Sequence, residues 1–329
     1  MSIENDYNES LLYLASRYGT TWIMKCVLAQ GAESDIDKVC SSGTALCGAA
    51  DSGNLEKATL LLDRGAGINF VSGGDYGTAL GVAAATGDLA IATLLLDQGA
   101  DINLIFGGYY GTALSVAAAM GQLEMATLLL DRGADINLTP GGRHGTALGV
   151  AIAEREIEIA TLLLDRSADI NFTFGGIHCT TLGAAAATGD LEIATLLLDR
   201  GADINLTFDN NCGTALGVAV ASGNLEMVLF LLDRGADINR TFGGRSGTAL
   251  AIAVFSINQE IAPLLLDRGA NPNLANHSGQ TPRDLAECNR GQDMVRLLDS
   301  YSAGKMEDET NDMQVLGDGS QDERPNCSE

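Results

Sequence analysis

The ten residues Leu-Leu-Leu-Asp-Arg-Gly-Ala-Asp-Ile-Asn stand at 128–137 and return unchanged at 196–205. Near-copies occupy 60–69, 94–103, 162–171, 230–239 and 264–273. Gly-Thr-Ala-Leu opens six units, at Gly43, Gly77, Gly111, Gly145, Gly213 and Gly247. Cys179-Thr180-Thr181-Leu182 fills the remaining place, so the spacing is 34 residues throughout. A fixed period in this range is the signature of a solenoid, in which each unit is one supersecondary element stacked on the next. The period therefore sets the architecture before any local reading.

The unit from Thr78 to Gly111 shows what is repeated. Thr78 is placed to cap a short helix, its hydroxyl accepting from an early amide. Leu80, Val82 and Ala83 give that helix an apolar face. Gly87 supplies a left-handed turn, and Asp88 caps a second helix. Leu89, Ile91, Ala92, Leu94, Leu95 and Leu96 then fill one broad helical face, and Gly99 stops it. From Asn103 the chain is extended, and Gly107-Gly108 turn it back in a hairpin. Helices this short are marginal alone, so each unit must bury its face on its neighbours.

The pattern resembles the ankyrin repeat, two short antiparallel helices with a projecting β-turn. That family reads Thr-Pro-Leu-His-x-Ala at the start of a unit; here Thr78–Ala83 read Thr-Ala-Leu-Gly-Val-Ala, without the proline and histidine. Only the last unit keeps the proline, at Thr281-Pro282. The missing histidine removes the family's hydrogen-bond link between adjacent turns. The turn glycine, the ten-residue close and the period all match, and the Gly-Gly-x-x-Gly-Thr-Ala-Leu junction is similar to ankyrin arrays of filamentous fungi. The resemblance implies an all-α repeat solenoid, stacked helix-turn-helix ankyrin repeats with β-hairpin tips.

About nine repeats fit residues 10–302, with degenerate caps at both ends. Residues 1–9 read as a flexible N-terminus and 303–329 as an acidic disordered tail, polar and free of aromatics. In the first unit Trp22, the only tryptophan, is expected to pack within the cap. Two units depart from the template. Arg155 and Ser167 replace the turn and stop glycines of the unit from Thr146. Ile257 replaces the turn glycine of the unit from Thr248, and Pro263 enters its second helix, in the first turn where proline is tolerated. Two readings of these units stand side by side: soft places in the array, or a slightly different turn without mechanical effect.

The net charge is −24, much of it in the template aspartates. An acidic body repels phosphates and anionic lipids, so direct nucleic-acid or membrane binding is not expected. Seven cysteines without a repeating spacing are no disulfide framework. No apolar run reaches the roughly 20 residues of a membrane span. These features point to an intracellular protein, in cytoplasm or nucleus.

Catalysis needs unlike groups converging on one point, whereas this chain spreads the same residues along a rod. The expectation is a non-enzyme without cofactor or small-molecule substrate. The glycine loops lack the Lys-Ser/Thr ending of a phosphate-binding loop. His144, His178 and Cys212 occupy one place in successive tips. Zinc donors lie within about 4 Å of each other, and three stacked repeats spread them over roughly 16–20 Å, so no metal site is expected.

The tips are the first place to look for binding. The two residues before each Gly-Thr-Ala-Leu vary while the rest is copied: Asp75-Tyr76, Tyr109-Tyr110, Arg143-His144, Ile177-His178, Asn211-Cys212 and Arg245-Ser246. Tyrosine and arginine are enriched at binding hot spots. The candidate ridge comprises Tyr76, Tyr109, Tyr110, Arg143, His144, Ile177, His178, Asn211 and Arg245, with loop drift as the competing reading. Phe106, Phe174, Phe208 and Phe242 form a second row, expected to pack between neighbouring hairpins. By resemblance, the binding surfaces are the tips and the concave helix face. The expected function is a non-catalytic protein–protein interaction adaptor or scaffold. The alternative is a nuclear transcription co-regulator, suggested by Met306, Met313, Val315 and Leu316 in the acidic tail.

Overall fold

The computed structural model describes residues 10–140, 145–172, 180–207, 213–243, 247–289 and 291–302. The proposed N-terminal segment 1–9 and tail 303–329 lie outside them. The chain divides into two compact units, 1–206 and 207–329.

The first unit carries six helix pairs: α1 Leu11–Tyr18 with α2 Thr21–Ala29, α3 Ala45–Asp51 with α4 Leu55–Asp63, and α5 Ala79–Thr86 with α6 Leu89–Asp97. There follow α7 Ala113–Ala119 with α8 Leu123–Asp131, α9 Ala147–Ala153 with α10 Ile157–Asp165, and α11 Thr181–Thr188 with α12 Leu191–Asp199. The second unit carries α13 Ala215–Ala221 with α14 Leu225–Asp233, α15 Ala249–Phe255 with α16 Ile261–Asp267, and α17 Pro282–Cys288 followed by a helix over 292–302. Within each unit the odd-numbered inner helices stack on one another and each packs on its outer partner. This is the repeat solenoid that the period demands.

The caps are those the residues dictate. Thr78 Oγ1 accepts from the Gly81 amide at 3.0 Å, and Asp88 Oδ1 from Ile91 at 3.0 Å. Thr281 and Asp284 form a reciprocal capping box with Pro282 in the first turn. Alanines carry the interior: Ala83, Ala92, Ala117, Ala126, Ala151 and Ala160 are fully buried, which lets the short helices lie close. Leu95, Leu129, Leu163 and Leu197 in the first unit, and Leu231 and Leu265 in the second, take the same place in the repeat and are fully buried.

Two rows of bonds join successive closes. Each Asp-Ile-Asn asparagine accepts, through Oδ1, the amide of the residue that starts the next Asp-Ile-Asn. Asn69 takes Asp101, Asn103 takes Asp135, Asn137 takes Asp169 and Asn171 takes Asp203, at 2.8–2.9 Å. Asn239 does the same for Asn271 in the second unit. The aspartate folds its own turn, as when Asp135 Oδ1 accepts from Asn137 at 3.0 Å. The link expected to fail with the histidine is thus supplied at the opposite end of the repeat. In the second row Arg132 reaches Asp97, Arg166 Asp131, Arg200 Asp165 and Arg268 Asp233, at 2.7–3.1 Å. These pairs are exposed and contribute about 0.2–1 kcal/mol each.

Trp22 corrects an expectation. It is 72% exposed because it stands one period before Glu56, the solvent side of the outer helix. Met24, Val27 and Leu28 hold α2 to the core instead. The departures at the damaged units are real in the backbone. Arg155, Ser167 and Ile257 have φ of 66°, 68° and 52°, the left-handed region the missing glycines would occupy without strain. Pro263 is the third residue of α16, inside its first turn.

Candidate functional site

Two of the described tips are held by an aromatic ring seated on missing side chains. The Phe106 amide donates to the Gly111 carbonyl at 2.9 Å, and Phe242 to Gly247 at 2.9 Å. This closes each loop with one backbone bond. Among the described residues no strand forms, and an isolated bridge joins Cys40 and Gly43. Where the hairpin tips are expected, the chain is turned back by the phenylalanine-to-glycine bond, with Gly111 and Gly247 left-handed at φ 77° and 76°.

Both phenylalanines are buried, at 3% and 6% exposure. A Cβ on Gly81 would meet the Phe106 ring at 3.1 Å, and one on Gly217 would meet Phe242 at 3.1 Å. Gly81 and Gly217 stand where the ankyrin pattern has histidine. At Gly217 the Phe242 ring is the nearest group to an added Cβ, whereas at Gly81 the Tyr76 carbonyl is nearer still, so backbone and ring together leave no room for a side chain. The chain keeps this rule in its sequence. Gly81, Gly149, Gly183 and Gly217 are followed, each at the same offset, by Phe106, Phe174, Phe208 and Phe242. Cys47, Ser115 and Ala251 are followed by Ser72, Pro140 and Asn276. Phe174 and Phe208 lie outside the described residues.

Of the candidate ridge, Tyr76, Tyr109 and Tyr110 are described; Arg143, His144, Ile177, His178, Asn211 and Arg245 lie outside the described residues, as does Cys212. Tyr109 and Tyr110 meet edge to face, ring centroids 4.9 Å apart, with Tyr109 46% exposed and Tyr76 and Tyr110 half-buried. The Tyr110 hydroxyl is pushed above its usual pKa, first by burial and then by the negative field of Glu154, with Tyr109, Tyr76 and Asp75 adding to it. Two successive tips and the end of inner helix α9, where Glu154 caps, thus share one electrostatic neighbourhood.

Tyr76 and Asp75 also form the rim of a cavity of about 300 Å³. Its other walls are Tyr13 and Arg17 of α1, Ser41, Ser42, Cys47, Asp51 of α3, Gly73, Gly74 and Val82. Arg17 Nε lies 2.6 Å from Asp51 Oδ2, and its Nη1 donates to the Tyr13 hydroxyl at 2.8 Å. Burial works against the Arg17 charge, but the Tyr13 hydrogen bond and the Asp51 carboxylate outweigh it and raise its pKa further. None of these inner-helix residues was a candidate from the sequence, yet a signal was there. Ala85, Ala119, Ala153, Ala187 and Ala221 form one column of the repeat, and the first two places in that column are Arg17 and Asp51. Tyr13 likewise begins the column that continues with Cys47 and Gly81.

A second hollow of about 520 Å³ lies against Ile257, Pro263, Met294 and Leu297 near the C-terminal end of the repeats. Among the described residues, no group of three or more His, Cys, Asp or Glu could hold a metal ion. No helix among them is long and apolar enough to cross a membrane. A family model described as ankyrin repeats (3 copies) matches residues 80–174 and 174–242. No curated protein matches the chain.

Proposed function

Because the chain belongs to the ankyrin repeat family, whose repeats are generally protein–protein interaction modules, we propose that it is a non-catalytic adaptor or scaffold. It holds its partner through the tips and the concave face of the inner helices. The observation that carries this reading is the division of labour within the repeat. The closes and helices are spent on joining units, whereas the residues at the tips vary from unit to unit and include the exposed Tyr109. A preformed surface of this kind loses little conformational entropy on binding. Arg143, His144, Ile177, His178, Asn211 and Arg245 belong to the proposed ridge on sequence grounds alone.

The experiment is affinity capture from the native organism with the wild type and with a variant carrying Tyr76→Ser, Tyr109→Ser and Tyr110→Ser, after circular dichroism has verified that the variant is folded. Loss of a specific partner in the variant supports the ridge. A partner retained unchanged removes the tips from the site, and no specific partner with either protein defeats the adaptor reading. The transcription co-regulator alternative rests on the tail sequence; fusing 303–329 to a DNA-binding domain and finding no reporter output would end it.

A further inference from the structure

We propose that the cavity between the first inner helices and the tip bearing Tyr76 receives a cationic side chain, so that the partner presents a basic peptide segment carrying lysine or arginine. This rests on the adaptor reading and names the chemistry of what the ridge takes.

Three observations lead there. The first is departure from the template. Where Ala85, Ala119, Ala153, Ala187 and Ala221 stand in later units, this corner has Arg17 and Asp51, and in the column of Gly81 it has Tyr13 and Cys47. All four line one hollow. The second is charge. The walls carry two carboxylates, Asp51 and Asp75, against one guanidinium, and that guanidinium is already engaged by Asp51 and Tyr13. One negative charge is left over, in a molecule whose net charge is −24. An anion entering here would face Asp75 with Arg17 turned to other partners. A cation would find the Asp75 carboxylate beside the half-buried Tyr76, an aromatic of the kind that attracts positive charge.

The third is continuation along the tips. Beyond Tyr76 come the crossed pair Tyr109 and Tyr110 and then Glu154, all within the same electrostatic neighbourhood as Asp75. Tyr76, Tyr109 and Tyr110 thus stand between two carboxylates, Asp75 and Glu154, which suits a segment carrying positive charge. At about 300 Å³ the hollow is at the lower limit of small-molecule sites, which fits one long side chain better than a whole ligand.

The test titrates the full chain with a short fluorescent peptide of alternating glycine and lysine, and with its counterpart carrying glutamate in place of lysine. Saturable binding of the lysine peptide is expected, weakened about tenfold by Tyr76→Ser or by Asp75→Asn. Glu226→Gln, which removes the same charge from an exposed position of α14, is expected to leave it within about twofold. Circular dichroism checks each variant. Three results would overturn the proposal: no saturable binding, preference for the glutamate peptide, or an equal loss in Glu226→Gln, which would mean diffuse attraction to an acidic body. If the lysine peptide fails while the tyrosine variant still loses its captured partner, the adaptor reading survives and the basic partner does not.

Discussion

Each repeat has two loops, the close and the tip, and they are governed by opposite constraints. At the close, Asp135 fixes its own turn and Asn137 accepts the amide of Asp169. Changing either residue leaves a donor of this unit or the next without its partner. At the tip, the Phe106 ring sits over Gly77 and Gly81 and Gly111 is left-handed, while the residues in the places of 109 and 110 differ from unit to unit. The close is copied in unit after unit, and the tip varies. Repetition marks what holds the units together, and variation marks what is left to meet a partner.

The contrast can be broken most forcefully at the ring. Phe242→Ser is expected to cost about 3 kcal/mol, the loss of a buried aromatic, and Gly217→Cys alone about 1–2 kcal/mol by crowding it. Together they should cost less than the sum, because Cys47 and Ser72 already occupy these two places in the first described tip. Urea unfolding of the four proteins reads the coupling. Next comes the close: Asn171→Ala removes the acceptor of the Asp203 amide and should cost about 1.5 kcal/mol, with faster hydrogen exchange at that amide.

A smaller gain is expected from Lys57→Met. Lys57 is buried in a column otherwise filled by Ile91, Met125, Ile159, Ile193 and Met227, its Nζ donating to the Ser16 carbonyl at 2.6 Å. Replacing it should stabilise the protein by about 1 kcal/mol. Burial lowers the Lys57 pKa, so the unfolded chain holds that proton more tightly. Wild-type stability should therefore rise relative to the variant as pH climbs from the lowered value towards the ordinary 10.5. Ser167→Gly relieves a left-handed side chain and should add about 0.7 kcal/mol; a melting curve that does not move would favour the reading in which the altered unit has no mechanical consequence. Smallest of all, Tyr109→Ser should stay within about 0.5 kcal/mol of the wild type. A larger loss would show that the tip belongs to the frame after all.

The frame was largely legible before any coordinates. The period, the threonine caps and the turn glycines name the helices, since each acts through neighbours three or four residues away. The Phe–Gly seating is equally visible at a constant offset, but it needs two loops to be compared at a distance, and the aromatic row by itself implies only packing between neighbouring hairpins. For Trp22 chemistry and position disagree: aromatic character suggests the interior, while counting back one period from Glu56 puts it in water, where the structure has it. The cavity was not found, because its walls come from α1, α3 and the tip at Tyr76. Only the run of alanines after Arg17 and Asp51 pointed to it.

Four units carry the glycine and phenylalanine of the lock within a single 34-residue stretch, as Gly81 and Phe106 do, while the asparagine rung offers the next unit the same acceptor. Unequal recombination between such stretches would insert or delete a whole unit with its seating intact and its rungs matched. Array length can therefore change in single genetic steps without new compensating substitutions, and selection is left to work on the tips.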